Sequence, residues 1–285
     1  MTSETVDVGH RIKGPTAFGD DRRRMWRLAW TLAITDFKLK FFGSVLGYLW
    51  QFMRPLMLFG VIYIVFAEVL KVGGDQPYFG AALLLGIVLF QFFTDSTAAS
   101  VRSLITRENL VRKIEFPRIA VPIACVVQAT LNLGLNLIPV SIFLFASGGS
   151  VSVRWLELPL ILLLLVVFTT GASLLLSALF VRYRDIEPIW DVVLQALFYA
   201  TPILYSLTIV IDKAGIEVAR LMLVNPIATT IQQARHALID PSYESAGQIF
   251  ATTAGNLIPI GVAVATFVLG TVVFVRAAPH VAEDL

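Results

Sequence analysis

Little that soluble chemistry relies on is present in this chain. Of 285 residues, one is cysteine and three are histidine. A single cysteine excludes a disulfide framework and a thiolate metal site. Cys125 lies in an apolar run and reads as a small buried hydrophobe. His10, His236 and His280 have no metal-ligand spacing. Charge is also scarce, at 15% of residues against about a quarter in soluble domains. None of the lysines follows a glycine or precedes Ser or Thr, so the phosphate-cradling loop of nucleotide hydrolases is absent. The chain is expected to carry no cofactor, to hydrolyse no ATP itself and to bind no nucleic acid.

Apolar residues fill the space, at 57% of the chain with a mean hydropathy of +0.78. That surface cannot all be hidden in one core of this size, so lipid is the solvent for much of it. Six stretches are apolar over about the 20 residues that a membrane helix needs: 49–70, 79–99, 119–146, 155–181, 189–205 and 252–275. The expected fold is an all-α integral membrane protein with six transmembrane helices.

Lysine and arginine set the expected orientation. Arg11, Lys13, Arg22, Arg23, Arg24, Arg27, Lys38 and Lys40 precede the first span. Arg102, Arg107, Arg112, Lys113 and Arg118 lie in or beside the loop after the second, and Arg182 and Arg184 follow the fourth. Lys71 and Arg154 alone mark the opposite short loops. Both termini are therefore expected in the cytoplasm.

Three segments stand outside the spans. Residues 1–21 read as a polar cytoplasmic tail with no secretory signal. Residues 22–48 place Trp26, Trp30, Ile34, Phe37 and Phe41 at steps of three and four, the pattern of an amphipathic helix in the membrane interface. The other account of this stretch is a plain helical extension with snorkelling lysines. Residues 207–250 are broken at Asp212, Gly215, Asn225-Pro226 and Asp240-Pro241, which predicts short re-entrant helices on the outer side before the last span. Residues 277–285 form a short cytoplasmic C-terminus.

Charges inside or beside the spans are the candidates for chemistry. Asp95 could serve a proton relay or bond neighbouring hydroxyls. Arg54, next to Pro55, could contact an anionic substrate or snorkel to the interface. Asp185 suits a helix cap ahead of Pro188, or pairing with an arginine. Asp185 and Glu187 do not make an acid–base pair by spacing alone. A bundle without an internal energy source and with basic inner loops suits a permease driven by a separate subunit.

Four stretches carry a resemblance: "SVLGYLWQFMRPL", "RENLVRKIEFPRIAVP", "RYRDI" followed by "LQALFYATPILYS", and "NPIATTIQQAR". Together, in this order, they resemble ABC-2 type permeases that export lipid-linked polysaccharides such as O-antigen and teichoic acid. The resemblance covers roughly 27–276. It implies a six-helix domain at 49–276 that forms a homodimer around one conduit in the bacterial inner membrane. It also implies two nucleotide-binding partner subunits that hold the ATP and Mg. A coupling loop at 102–118 would face them through Asn109, Leu110, Arg112, Lys113, Ile114, Glu115, Phe116 and Arg118, with Asp185 in the same layer. An ordinary positive-inside loop is the alternative.

The substrate implied is a polyprenyl-diphosphate-linked glycan. Arg23, Arg24, Arg27, Arg54, Arg182 and Arg184 are candidates for its headgroup or for the gate, since paired guanidinium donors suit phosphate. For Arg182 and Arg184 a purely topological role stays open. Sugar faces can slide over aromatic rings, and Tyr48, Trp50, Phe59, Tyr63, Phe66, Phe198 and Tyr199 are the candidates, with Phe90, Phe92, Phe93 and Tyr205 behind them. Rival functions are an ABC-2 exporter of drugs or small lipids and a membrane-embedded glycan-processing enzyme.

Overall fold

The computed structural model of the chain describes residues 22–41, 47, 49–71, 76–111 and 116–279. Every regular element among the described residues is helical, as the sequence predicts. Helix α1 (Arg22–Phe41) contains neither glycine nor proline to interrupt it. Its protein-facing row is Met25, Ala29 and Ala33, all buried at a four-residue step. Trp26 and Trp30 point away from the protein, 57% and 54% exposed. The bulky row picked out in the sequence is thus not the row that packs. Small side chains let α1 lie close, and the indoles are left for the membrane interface.

Helix α2 (Leu49–Tyr63) runs on through a wide-pitched stretch, Ile64–Val69, closed by Leu70 N–H donating to the Val65 carbonyl at 2.9 Å. Helix α3 (Phe79–Thr106) is the buried centre of the bundle, with Ala81 to Phe90 all inside. A short α4 (Glu108–Val111) follows, then α5 (Ala120–Ala146). A tight turn, Val153–Glu157, leads into α6 (Leu158–Arg182). Next come α7 (Ile186–Ala200), α8 (Leu207–Ala214) and α9 (Ile216–Leu223). Helix α10 (Pro226–Ala234) widens over Arg235–Ile239 and is followed by α11 (Ala246–Phe250) and α12 (Thr253–Ala277).

Among the described residues five helices are long and apolar enough to cross a membrane: α2 with its extension, α3, α5, α6 with its lead-in, and α12. That is one fewer than the sequence predicts. The expected span at 189–205 is the 15-residue α7, short of the usual length of about 20. It stops because Thr201 precedes Pro202 and is driven extended, at φ −90° and ψ 137°.

Helix α7 nevertheless returns the chain along α3. Trp190 Nε1 donates to Thr97 Oγ1 at 3.0 Å, and the Phe198 ring lies 5.3 Å from that of Phe90. Beyond α7, the Ile203 side chain reaches Gly86. The two helices are therefore antiparallel. Arg102, Arg107, Arg118, Arg182 and Arg276 collect at one end of the bundle, the basic end; Ala82, Ile203 and the segment 207–250 belong to the far end.

Helices α6 and α12 run parallel and touch backbone to backbone. A Cβ added at Gly171 would lie 2.5 Å from the Phe267 nitrogen, and one at Gly270 would run into the Gly171 carbonyl. Small residues permit this approach where no hydrophobic force separates helix from lipid. At the far end, Asn225 caps α10 by accepting from Ile227 N–H at 3.0 Å, with Pro226 in the first helical position. The predicted breaks at Gly215 and Asn225-Pro226 are thus real helix boundaries.

Candidate functional site

The basic end is laced by ion pairs that span distant parts of the chain. Arg107 of the turn after α3 pairs with Asp36 of α1. Arg102 at the end of α3 pairs with Glu187 at the start of α7. Arg118, buried ahead of α5, donates to the Ala278 carbonyl beyond α12. These contacts join α1, α3, α5, α7 and α12 in one layer.

Above that layer, between α1, α2, α3 and α5, is a cavity of about 590 Å³. Lys40, Trp50, Gln51, Arg54, Gln91, Asp95 and Asn136 are among its walls. Arg54 stands 3.8 Å from Asp95, which also accepts from Gln91 Nε2 at 2.5 Å. Lys40 donates to Gln51 at 3.2 Å. Asp95 therefore meets a guanidinium and an amide rather than the hydroxyls expected from sequence. Asn136 is 3% exposed and its Oδ1 has no hydrogen-bond partner among the described residues. A buried acceptor without a donor is costly, so this wall is suited to a ligand with hydroxyl or amide protons. The exposed face of Trp50, at 56%, adds a platform for an apolar sugar face. Cations, hydrogen-bonding groups and an aromatic ring thus share one membrane-embedded pocket.

The other predicted residues are scattered around this site. Arg23, Arg24 and Arg27 are exposed on α1. Arg182 lies over the ring of its neighbour Tyr183 at 5.5 Å, and Arg184 over that of Phe180, four residues earlier, at 5.4 Å. Asp185 occupies the N-cap position of α7, but its side chain makes no capping bond. Its backbone is already helical, which turns the carboxylate away from the free N–H groups.

In the loop where the resemblance predicts coupling, Asn109 is exposed and Leu110 half-buried, while Phe116 packs on the chain's own cluster around Met25, Ala29 and Val111. Burial holds Arg118 inside the chain as well. Arg112, Lys113, Ile114 and Glu115, like Tyr48, lie outside the described residues.

Among the aromatic candidates, Phe59 is buried and Tyr63 half-buried, and each packs on Phe143. Phe66 is half-buried, and Phe198 packs on Phe90. Phe90, Phe92 and Phe93 are buried in the bundle, Phe93 stacked on Phe168. Tyr199 is an open ring like Trp50, 67% exposed, and Tyr205 donates to its carbonyl at 3.1 Å.

The far end is pinned by a second set of contacts. Arg235, 2% exposed, donates to the carbonyls of Ala82, Pro202 and Ile203 at 3.2, 2.7 and 2.7 Å. Tyr243 donates to the Pro77 carbonyl at 3.0 Å. Burial pushes its phenol up to about 12, so it remains a protonated donor at neutral pH. His236 bridges Arg154 and the Tyr243 carbonyl, at 2.9 and 2.6 Å.

A family model described as "ABC-2 type transporter" matches residues 27–239, well over half of the chain. The chain belongs to the ABC-2 type transporter family. Two of its relatives are O-antigen export system permease proteins RfbA of Klebsiella pneumoniae. They are 33% identical over 198 residues and 31% identical over 197, each match covering 69% of this chain and 74% of the relative. A third, the O-antigen export system permease protein RfbA of Myxococcus xanthus, is 24% identical over 237 residues, 83% of this chain and 90% of that protein. The ABC-2 match takes in α1 from Arg27 onward, the cavity, the Asp36–Arg107 and Arg102–Glu187 pairs and Arg235. It ends at Ile239, ahead of α11 and α12.

Several residues that organise this ABC-2 chain were not singled out by the sequence. Asp36, Glu187, Gln91 and Asn136 act through partners 4 to 85 positions away or through an unmet acceptor. Arg235 did leave a signal. It is the one Lys, Arg, Asp or Glu in the stretch "NPIATTIQQARHALI".

Proposed function

We propose that this chain is the permease subunit of an ATP-driven exporter of lipid-linked polysaccharide, working as a homodimer with two nucleotide-binding subunits that hold ATP and Mg. The names of the relatives support polysaccharide as the cargo. The observation that carries the conduit is on α7. Asp191, Gln195 and Tyr199 form an exposed polar stripe at four-residue steps, while Trp190 and Phe198, on the adjoining face of α7, pack on α3. A carboxylate and an amide facing hydrocarbon would cost several kcal/mol, roughly 2.5–3.5 for an acid at a helix centre. A stripe of this kind belongs beside water, and a two-fold copy gives it a shared lumen. On this proposal the basic end faces the cytoplasm, the diphosphate head enters near Lys40 and Arg54, and the glycan passes between the two copies of α7.

Paired cysteines test the arrangement. In a Cys125→Ala background, Gln195→Cys is expected to cross-link two copies and to block export when oxidised. Cross-linking at the lipid-exposed Leu163→Cys instead would overturn it. Replacing Arg182 and Arg184 together with glutamine is expected to lower export several-fold at unchanged membrane level; normal export would leave those arginines to topology alone.

The ion-pair layer gives a third expectation. Asp36→Arg alone should uncouple ATP hydrolysis from export, because Arg107 then faces a like charge. Asp36→Arg with Arg107→Asp should recover most of the transport. ATPase and export assays on the same membranes read the outcome, and a double variant no better than the single would show that the pair carries no coupling.

A further inference from the structure

A second cavity lies between α6 and α12. Helices α6 and α12 are pinched together at Gly171 and Gly270, and toward the far end they part. The opening is a cleft of about 520 Å³. Leu163, Leu164 and Val167 line it from α6, and Pro259, Ile260 and Val264 from α12. Its wall residues Leu163, Ile260 and Val264 are 55%, 45% and 49% exposed, so it is open sideways. Both walls are membrane-spanning helices, and what a sideways opening meets at that depth is lipid.

The far-end rim is chemically different. Gln233, Ser245 and Asn256 line it, and α10 closes the back with Thr229 and Thr230. Asn256 Oδ1 is buried with no partner among the described residues. Pro259, one turn further along α12, has no N–H to give the Gly255 carbonyl. An acceptor short of a donor, Asn256 Oδ1, therefore sits where the apolar cleft ends. No lysine or arginine lines the cleft. A lipid whose head carries only anionic oxygens would bring acceptors to acceptors without a cation to hold it.

We infer that this cleft holds one acyl chain of an ethanolamine phospholipid, with the donor-bearing head at Asn256. The ammonium supplies the missing protons and the chain fills the gap between α6 and α12 that the glycine pinch creates. The site is separate from the cargo pocket and stands whether or not the cargo is a glycan.

The test uses the full-length chain, purified, stripped of lipid and titrated with defined lipids under native mass spectrometry. Dioleoyl phosphatidylethanolamine is expected to be retained at one molecule per chain, at least ten-fold more tightly than dioleoyl phosphatidic acid, whose head has no ammonium or alcohol donor. Ile260→Trp fills the cleft and should abolish retention. Asn256→Leu keeps the cleft and should erase the preference between the two lipids while leaving weaker binding. Melting curves in detergent confirm that each variant is folded, and the two substitutions touch different ends of the site, so loss of one leaves the other informative. Equal retention of both lipids by the parent protein, preference for phosphatidic acid or polyprenyl phosphate, or retention unchanged by both variants would each overturn the inference.

Discussion

Replacing Arg235 with methionine is expected to remove most folded protein from the membrane. Arg235 is fully enclosed and serves three carbonyls on two separate segments, the start of α3 and the turn after α7. The Ala82 carbonyl lies within α3 and has a helical donor of its own. Those of Pro202 and Ile203 lie in an irregular turn and depend on the guanidinium.

A hydrogen bond from a charged donor contributes about 1.5–3 kcal/mol, so losing two gives a deficit on the order of 5 kcal/mol. Burying the charge has its own cost, and exchanging a buried ion pair for apolar residues is often neutral. That offset fails here because the acceptors are backbone and cannot be replaced along with the cation. Native stability is about 5–15 kcal/mol, so the loss is a large share of it. Lysine is expected to rescue poorly, since one ammonium cannot reach along the row of carbonyls as a planar fork does. Membrane-fraction yield and melting temperature in detergent read the effect. A methionine variant that melts within a degree or two of the parent would show that the turn is held by other means.

Gly171→Leu should be nearly as severe for a different reason. Even the first carbon of a side chain would meet the Phe267 backbone at 2.5 Å. Neighbouring side chains usually relieve overpacking by changing rotamer, at about 1–3 kcal/mol. Backbone has no rotamer to change, so α6 and α12 must separate along their length. Gly171→Ala already tests the point, since it adds that one carbon only. We expect it to lower the melting temperature clearly and Gly171→Leu to abolish assembly, whereas Gly261→Leu, where nothing lies within 4 Å of an added Cβ, should be tolerated. Protease sensitivity of the α6–α12 region compares the three directly. Equal behaviour of Gly171→Leu and Gly261→Leu would dispose of the backbone-contact account.

The sequence made the helical class, the approximate spans and the broken far-end segment legible, because lipid demands long apolar runs and Gly and Asn-Pro end helices locally. It misjudged α7, where hydropathy continued past a helix end that Pro202 imposed. It also misjudged α1. Periodicity found the tryptophan row, but packing used the alanines, since a small row approaches α5 more closely than a bulky one. The candidate site was half visible. Arg54 and Asp95 stood out as charges in apolar surroundings, while Gln91 and Asn136 did not, because an amide in a span looks ordinary until its neighbours are known. The layer joining Asp36 to Arg107 and Arg102 to Glu187 depends on how the helices are arranged, and no local pattern announces it.

Helix α7 is fastened near both tips to the same neighbour, by Glu187 to Arg102 at one end and, past its last turn, through Arg235 to Ala82 at the other. A rod splinted this way cannot tilt alone. Any widening beside Asp191, Gln195 and Tyr199 must swing α3 and α7 together as a single oar, with its pivot against α2, α5 and α6.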